Sequence, residues 1–490
     1  MVKRCSFNGN YFTLLVFAYL SCTIAIAQEE CTIGVALGRA TSDGRPLLWK
    51  TRDNDEAPNN TIKYDTKSTY KFIYVANAGT TSSAWMGVNE QGFAIINSAS
   101  SDLPTTNQGL GNGSLMKHVL GTCKTVIEFE NYLQATNITG RSTQANFAVI
   151  DATGAAAIFE TGGNTYYKYD ANDTENGYII RTNFSFNGGS NKGIERYIRS
   201  TDLINTFYAG DTLNYKSIIR YQMRDFSDDN GDQIIIPFEG NWSAEIPYGY
   251  VHCEKSICRT STVSAAVIHG ILPTEDARLS TMWTMLGHTA TTVAIPYWPV
   301  GDLPVVVKGN PKSALCNKAN EIKKILFDIS DQKDYINTFM LQDNKDGGLF
   351  PYLFNIEDSI FSQTAHLMDS IRKLDHLPVT SLVEYESKHA ENVLIQLKNW
   401  IFTATGSKNA YVHNEKLKIY PNPTNDLLFI NCSGNNNFKM LVYNLSGSEQ
   451  LNQNLNNGIN IINVQSLNSG IYTFLIANHE QYFHGKLIKN

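Results

Sequence analysis

Cys31-Thr32-Ile33-Gly34-Val35-Ala36, followed by Asp43-Gly44-Arg45-Pro46-Leu47-Leu48-Trp49-Lys50-Thr51-Arg52-Asp53-Asn54, is the stretch on which the reading of this chain turns. Thr32–Leu37 and Pro46–Lys50 are short apolar runs, and Ser42-Asp43-Gly44-Arg45 between them is a hairpin signal. The same pattern recurs downstream. Ala84–Val88 and Phe93–Asn97 flank Asn89-Glu90-Gln91-Gly92, and Phe147–Ile150 and Ala155–Glu160 flank Asp151-Ala152-Thr153-Gly154. Tyr178–Arg181 and Val263–His269 add strands, while Leu115–Leu133, Ile194–Phe207 and Leu213–Met223 carry helical periodicity. Strand pairs with helices between them imply sheets packed against helices.

The whole chain has 490 residues, room for about three domains. Its formal charge of −6 offers no broad basic field, which argues against a nucleic-acid partner. Lys3 and Arg4, the apolar run Tyr11–Leu20 and the small residues of Ala25-Ile26-Ala27 form a secretory signal peptide over residues 1–27. Export makes disulfides permissible. Cys31, Cys123, Cys253, Cys258, Cys316 and Cys432 remain after its removal, and Cys253 and Cys258 are close enough in sequence to bridge. They lack a second Cys/His pair at zinc-ligand spacing, so no metal is expected.

Residues 311–405 hold long amphipathic patterns at Ala314–Phe327, Ile356–Leu374 and Leu382–Ile401. This helical extension either completes the first domain (31–310) or links it onward. Residues 406–416 read as a linker. From 417 to 490 the chain is rich in Asn, Ser and Gly, with short strands at Leu427–Asn431, Phe438–Tyr443, Ile459–Val464, Ile471–Ala477 and Phe483–Ile488, which suggests a small β-sandwich. Lys418-Ile419-Tyr420-Pro421-Asn422-Pro423-Thr424, Val442-Tyr443-Asn444-Leu445-Ser446-Gly447, Leu467-Asn468-Ser469-Gly470-Ile471-Tyr472 and Lys486-Leu487-Ile488-Lys489 resemble the C-terminal sorting domain of the type IX secretion system. That resemblance implies engagement of the secretion machinery and a secreted or outer-surface location on a Gram-negative bacterium. An adhesive or carbohydrate-binding module is the alternative for this tail.

The chemistry sits at the other end. Signal cleavage would leave Gln28-Glu29-Glu30 ahead of Cys31, and loss of that short propeptide would make Cys31 the first residue. A thiol needs a base to become a competent nucleophile. A free α-amine, with a pKa near ~7.7–8.0, can be that base, so one residue supplies both groups. The stretch quoted at the outset resembles the start of an N-terminal-nucleophile amidase of the linear-amide C–N hydrolase superfamily. That superfamily includes choloylglycine hydrolases, penicillin V acylases, acid ceramidase-like amidases and isopenicillin N acyltransferases. Asn89-Glu90-Gln91-Gly92-Phe93-Ala94-Ile95-Ile96-Asn97-Ser98 resembles the segment ending in the oxyanion-hole Asn, here Asn97. Arg181-Thr182-Asn183-Phe184-Ser185 resembles the one carrying a second active-site Asn, here Asn183, and Glu195-Arg196-Tyr197 the one carrying an Arg, here Arg196.

The resemblance implies a four-layer αββα fold, of class α+β, over residues 31–310. It implies Cys31 as nucleophile, Asn97 as oxyanion donor, Asp53 holding the α-ammonium, Asn183 bonding the amine or substrate, and Arg196 tuning the local field. The family's Arg-Asn-x-Asp becomes Lys50-Thr51-Arg52-Asp53 here, so Lys50 or Arg52 fills the basic position, and Asp55 offers Arg52 a second register. The short spacing from Asn89 to Asn97 favours the acyltransferase-like branch over bile salt hydrolases. The expected activity is hydrolysis of an N-acylated amino acid or amine, a small-molecule amide, without a cofactor. A secreted dipeptidase with the same Cys-Thr start, or an inactive binding protein on the same fold, are the alternatives. Homo-oligomerisation is left open. Trp283, Trp298, Tyr248 and Tyr250 are read as core aromatics rather than a pocket lining, and His118, His252 and His288 as unconnected with the site.

Overall fold

The computed structural model describes residues 30–490, apart from 229, 241–245, 247–248, 328, 330–331, 343–347, 407–416, 433–437, 445–447 and 478–481. The expected signal peptide, residues 28–29, nearly all of the expected linker and Tyr248 lie outside the described residues.

Strand β1 (Glu30–Ala36) pairs antiparallel with β2 (Leu47–Asp53), from Glu30 opposite Asp53 to Ala36 opposite Leu47. Gly34 permits this pairing, because a Cβ there would lie 2.1 Å from Cζ2 of Trp49 on the opposed strand. β2 runs past the expected Lys50 to Asp53, and all seven of its residues are buried. A strand covered on both faces loses the polar–apolar alternation that sequence reading relies on.

β3 (Asn60–Asp65), β4 (Phe72–Asn77), β5 (Met86–Asn89), β6 (Ala94–Ala99), β7 (Ala145–Ile150), β8 (Ala156–Thr161) and β9 (Tyr166–Asp170) form a seven-stranded meander in chain order. β10 (Tyr178–Arg181) returns to β1. A small strand, β11 (Tyr250–His252), is followed by β12 (Thr262–His269), β13 (Thr281–Leu286) and β14 (Ile295–Tyr297), and the second sheet has the order β10-β1-β2-β12-β13-β14. β11 pairs instead with β15 (Tyr335–Asn337).

The two large sheets face one another, with Ile33 and Val35 of β1 sharing one core with Ile96, Ala148 and Ile158 of the meander. Helices α1 (Asn112–Leu120) and α2 (Val126–Thr139) cover the far side of the meander, where Leu115, Met116 and Phe129 pack with Phe93, Phe147 and Phe159. Helix α3 (Ile194–Ala209) covers the far side of the other sheet against β1 and β10. The order is helix, sheet, sheet, helix, as expected. The single helix expected over Leu115–Leu133 is two helices. The chain turns at Gly121–Lys124, and Thr125 caps α2 by accepting the Glu128 N–H at 3.1 Å.

α4 (Ala314–Leu326), α5 (Leu349–Ile371) and α6 (Val379–Gly406) bring Leu315, Ile322, Leu353, Ile360, Val393 and Leu397 into the same core. A buried ion pair fixes α5. Arg224 donates to Glu357 at 2.9 and 2.6 Å and to the carbonyls of Thr289 and Thr292, while Glu357 also accepts the Ala294 N–H at 3.0 Å.

The C-terminal strands are β16 (Leu417–Tyr420), β17 (Leu427–Cys432), β18 (Phe438–Tyr443), β19 (Glu449–Leu455), β20 (Gly458–Asn463), β21 (Gly470–Ala477) and β22 (Tyr482–Lys489). They form sheets β16-β17-β20 and β19-β18-β21-β22 around Leu428, Ile430, Val442, Ile462, Phe474 and Leu487, a sandwich as expected. Among the described residues, no helix is long and apolar enough to cross a membrane.

Candidate active site

Cys31 is the second residue of β1 and is wholly buried. It is directly opposed to Arg52. Opposed residues of an antiparallel pair share a face, and faces alternate along a strand. Cys31, Arg52 and Lys50 therefore face the meander. Glu30 and Asp53, opposed to one another, face α3. The backbone of Cys31 divides two polar clusters in an otherwise apolar core.

On the α3 side the contacts converge on the Cys31 backbone. The Cys31 N–H donates to Asn183 Oδ1 at 2.9 Å, and Asn183 Nδ2 donates to the Ala99 carbonyl at 2.7 Å. Arg196 donates to Asn183 Oδ1 at 2.8 Å and to the Cys31 carbonyl at 2.9 Å. Its guanidinium fits because Gly193, with φ +78, begins the helix. A Cβ there would lie 2.5 Å from Arg196 Nη2. Asp53 accepts from Thr262 Oγ1 at 2.7 Å, and its Oδ2 is buried with no partner among the described residues. Burial pushes its carboxyl up to about 6, assisted by the Glu30 charge and opposed by Arg259 and Arg196.

Glu30 is held at the mouth of this cluster. It is ion-paired to Lys192 at 2.7 Å, to Arg196 at 3.4 Å and to Arg259. Burial raises its carboxyl, but Arg259, the Lys192 hydrogen bond and Arg196 outweigh it and bring the group to about 2.

On the meander side, Lys50 Nζ donates to Asn97 Oδ1 at 2.8 Å and to the Trp85 carbonyl at 3.1 Å. This fixes the Asn97 amide with Nδ2 buried and no acceptor on it among the described residues. Arg52 donates to Asn60 Oδ1 at 2.7 Å and lies over the Trp85 ring. Ser264 joins it on Asn60 at 3.0 Å, because a bulge between Thr262 and Ser264 gives one residue to Asp53 and the other to Arg52. Strand alternation turns both Lys50 and Arg52 away from Asp53. Arg259 and Arg196 are its cationic neighbours.

The structure thus brings Cys31, Asp53, Asn97, Asn183, Arg196, Arg52 and Lys50 around one strand end. Arg259, Thr262 and Lys192 complete the cluster and carry no signal in the sequence, since they stand in segments without a motif. Cys253 and Cys258 do not bridge. Cys253 Sγ sits 3.3 Å from the Asp334 carbonyl and Cys258 Sγ 3.1 Å from Thr289 Oγ1. Trp283 stacks on Tyr215 and Trp298 bonds Thr281, both in the core as read. Among the described residues, His252, Glu254 and Asp334 bring ligand atoms within 4.8 Å of one another, and Glu254 is also one of the charges that act on Arg259. A cavity of about 360 Å³ lies between β9, β10 and α3, lined in part by Lys168, Tyr169, Tyr178, Arg181, Phe186 and Tyr197, and none of the residues around Cys31 lines it. Arg181 stands two residues before Asn183, and Tyr197 follows Arg196.

Residues 39–205 match the family described as acyl-coenzyme A:6-aminopenicillanic acid acyl-transferase, and residues 418–490 match the secretion system C-terminal sorting domain. Among curated proteins none matches the chain. Penicillin V acylase from Agrobacterium tumefaciens is a structural neighbour at 15% identity and a TM-score of 0.34, covering 55% of this chain and 85% of its own. A mutant of conjugated bile acid hydrolase from Clostridium perfringens is another, at 10% identity and a TM-score of 0.35, covering 57% of this chain and 94% of its own. By its sequence, the chain therefore carries a segment similar to the acyl-coenzyme A:6-aminopenicillanic acid acyl-transferase family, residues 39–205, and one similar to the secretion system C-terminal sorting domain, residues 418–490.

Proposed function

We propose that this protein is a secreted cysteine amidohydrolase that cleaves a linear C–N amide bond through an acyl-enzyme on Cys31. The observation that carries the reading is the grip on the Cys31 nitrogen by Asn183, itself held by Arg196. A nitrogen fixed by side chains rather than by strand pairing alone keeps its place when it becomes a terminal amine.

In this reading the α-amine takes the proton of the Cys31 thiol. The thiolate attacks the amide carbon, and the C–S bond forms as the carbonyl electrons move to oxygen. Asn97 Nδ2, buried without an acceptor and oriented by Lys50, donates to that oxyanion. One such donor contributes ~10²–10³ in rate. The C–N bond then breaks, the departing amine takes the proton from the ammonium, and water cleaves the thioester. Asp53 faces the new ammonium as its counter-charge. An N-terminal signal and the sorting segment carry the chain across the envelope of a Gram-negative cell to the surface or medium.

The deciding experiment is N-terminal sequencing and intact mass of the secreted protein. A chain beginning at Cys31 is expected. A chain that keeps residue 30 has no free α-amine at Cys31 and overturns the mechanism. With the mature enzyme, a panel of N-acyl amines against dipeptides separates an acylase from a dipeptidase. Cys31→Ala separates both from a binding protein, which would keep its ligand.

A further inference from the structure

The amidohydrolase reading leaves Glu30 without a role once it is cut away, yet this residue occupies the most elaborate charge cluster around the site. Lys192 takes one carboxylate oxygen at 2.7 Å, and Arg259 and Arg196 take the other, Arg196 at 3.4 Å. Removing Glu30 takes away one carboxylate and creates an α-ammonium in its place. Asp53 is then the anion left facing Arg196 and Arg259. Glu195 is engaged by Lys255 at 3.1 Å, and Glu254 reaches Arg259 only as a more distant charge. Arg259 also has a buried Nε with no partner among the described residues. A largely buried guanidinium pair that loses its carboxylate is a strong site for another one.

We infer that the cradle of Arg259, Lys192 and Arg196 receives a carboxylate on the acyl portion of the substrate, so that the preferred amides are of glutaryl type. The acyl side follows from the chemistry. If Cys31 removes its own propeptide, Sγ bonds to the Glu30 carbonyl carbon, the bond to the Cys31 nitrogen breaks as that nitrogen takes the thiol proton, and water cleaves the resulting thioester to release the propeptide as an acid. Turnover gives a thioester on that same sulfur. The two acyl groups therefore start from one atom. The carboxylate of Glu30 lies three carbons beyond its carbonyl, and a glutaryl group repeats that spacing. Glu30 thus occupies in the precursor the place that the substrate's own carboxylate takes in the mature enzyme.

This rests on the amidohydrolase reading, and its test keeps the two apart. The protein is the secreted form shown by mass to begin at Cys31. Glutaryl-p-nitroanilide is compared with pentanoyl-p-nitroanilide, which has the same chain length without the charge. A charge-assisted bond to a buried guanidinium predicts a kcat/KM at least about tenfold higher for the glutaryl amide. In Arg259→Gln and Lys192→Gln that ratio falls to within about threefold of one. Binding of glutarate against pentanoate, followed by calorimetry, reads the cradle without any turnover, and glutarate is expected to bind about tenfold more tightly. A ratio near one for the wild type, with both amides cleaved, overturns the cradle and keeps the amidohydrolase. Glutarate bound more tightly while neither amide is cleaved keeps the cradle and overturns the amidohydrolase. Equal binding of the two acids overturns the cradle.

Discussion

Replacing Asp53 by Asn in a Cys31→Ala background, where Glu30 stays attached, makes the protein more stable at pH 8 and leaves it nearly unchanged at pH 4. The carboxyl is buried, with Oδ2 lacking any partner, and is held at about 6 against a reference value of 3.8. A tenfold change in proton affinity is worth about 1.4 kcal/mol. The ionised side chain therefore destabilises the folded state by about 3 kcal/mol above pH 6. The folded form binds the proton more tightly than the unfolded one, so stability falls as pH rises from 3.8 to about 6 and then levels. An Asn side chain is neutral throughout and lacks this loss. Denaturant unfolding of both proteins at pH 4, 6 and 8 measures the difference, which should grow from near zero to about 3 kcal/mol. A variant less stable than its parent at pH 8, or an equal offset at every pH, would refute the reasoning. The expected result identifies Asp53 as a charge kept for function against stability.

Three further outcomes follow from the geometry. Asn97→Ala in the mature enzyme should lower kcat ~10²–10³-fold with little change in KM or in circular dichroism, as loss of one oxyanion donor does. An unchanged kcat would remove Asn97 from the mechanism. Gly193→Ala places a Cβ 2.5 Å from Arg196 Nη2 at a φ of +78, so kcat/KM should fall tenfold or more for a stability loss of about 1 kcal/mol. Steady-state kinetics beside a thermal melt separates the two effects. Glu357→Leu strands Arg224 in the core and should lower stability by about 3–5 kcal/mol, whereas adding Arg224→Met should restore most of it. A double variant as unstable as the single one would show that the pair does not act as a unit.

The sequence was most informative where local chemistry and position coincide. The hairpin at the N-terminus, the Asn97 segment and the three amphipathic patterns of residues 311–405 all correspond to elements in the structure, and Asn183 stands just past the end of β10. β3, β4, β9, β13 and β14 escaped because their polar and aromatic residues follow no strict alternation, as in Tyr-Tyr-Lys-Tyr-Asp of β9. β19, Glu-Gln-Leu-Asn-Gln-Asn-Leu, is too polar to read as a strand without the sheet that flanks it. Arg259, Lys192 and Thr262 meet Glu30 and Asp53 only through folding, across more than 130 residues of chain, and spacing carries no trace of that. The question of Lys50 or Arg52 beside Asp53 was open in sequence because it is one of facing. Strand alternation sends both to the other side, and the helix α3 and the β11–β12 connection supply the cations instead.

The Arg224–Glu357 pair has a practical consequence for recombinant work. A fragment ending near residue 310, where the sheets are complete, would keep the arginine and discard the acid it is built around, together with Leu315, Ile322, Leu353 and Val393 that close the core. Such a fragment would expose a buried charge and an oily face at once, and aggregation in the expression host is the natural result. The shortest fragment worth producing runs through α6.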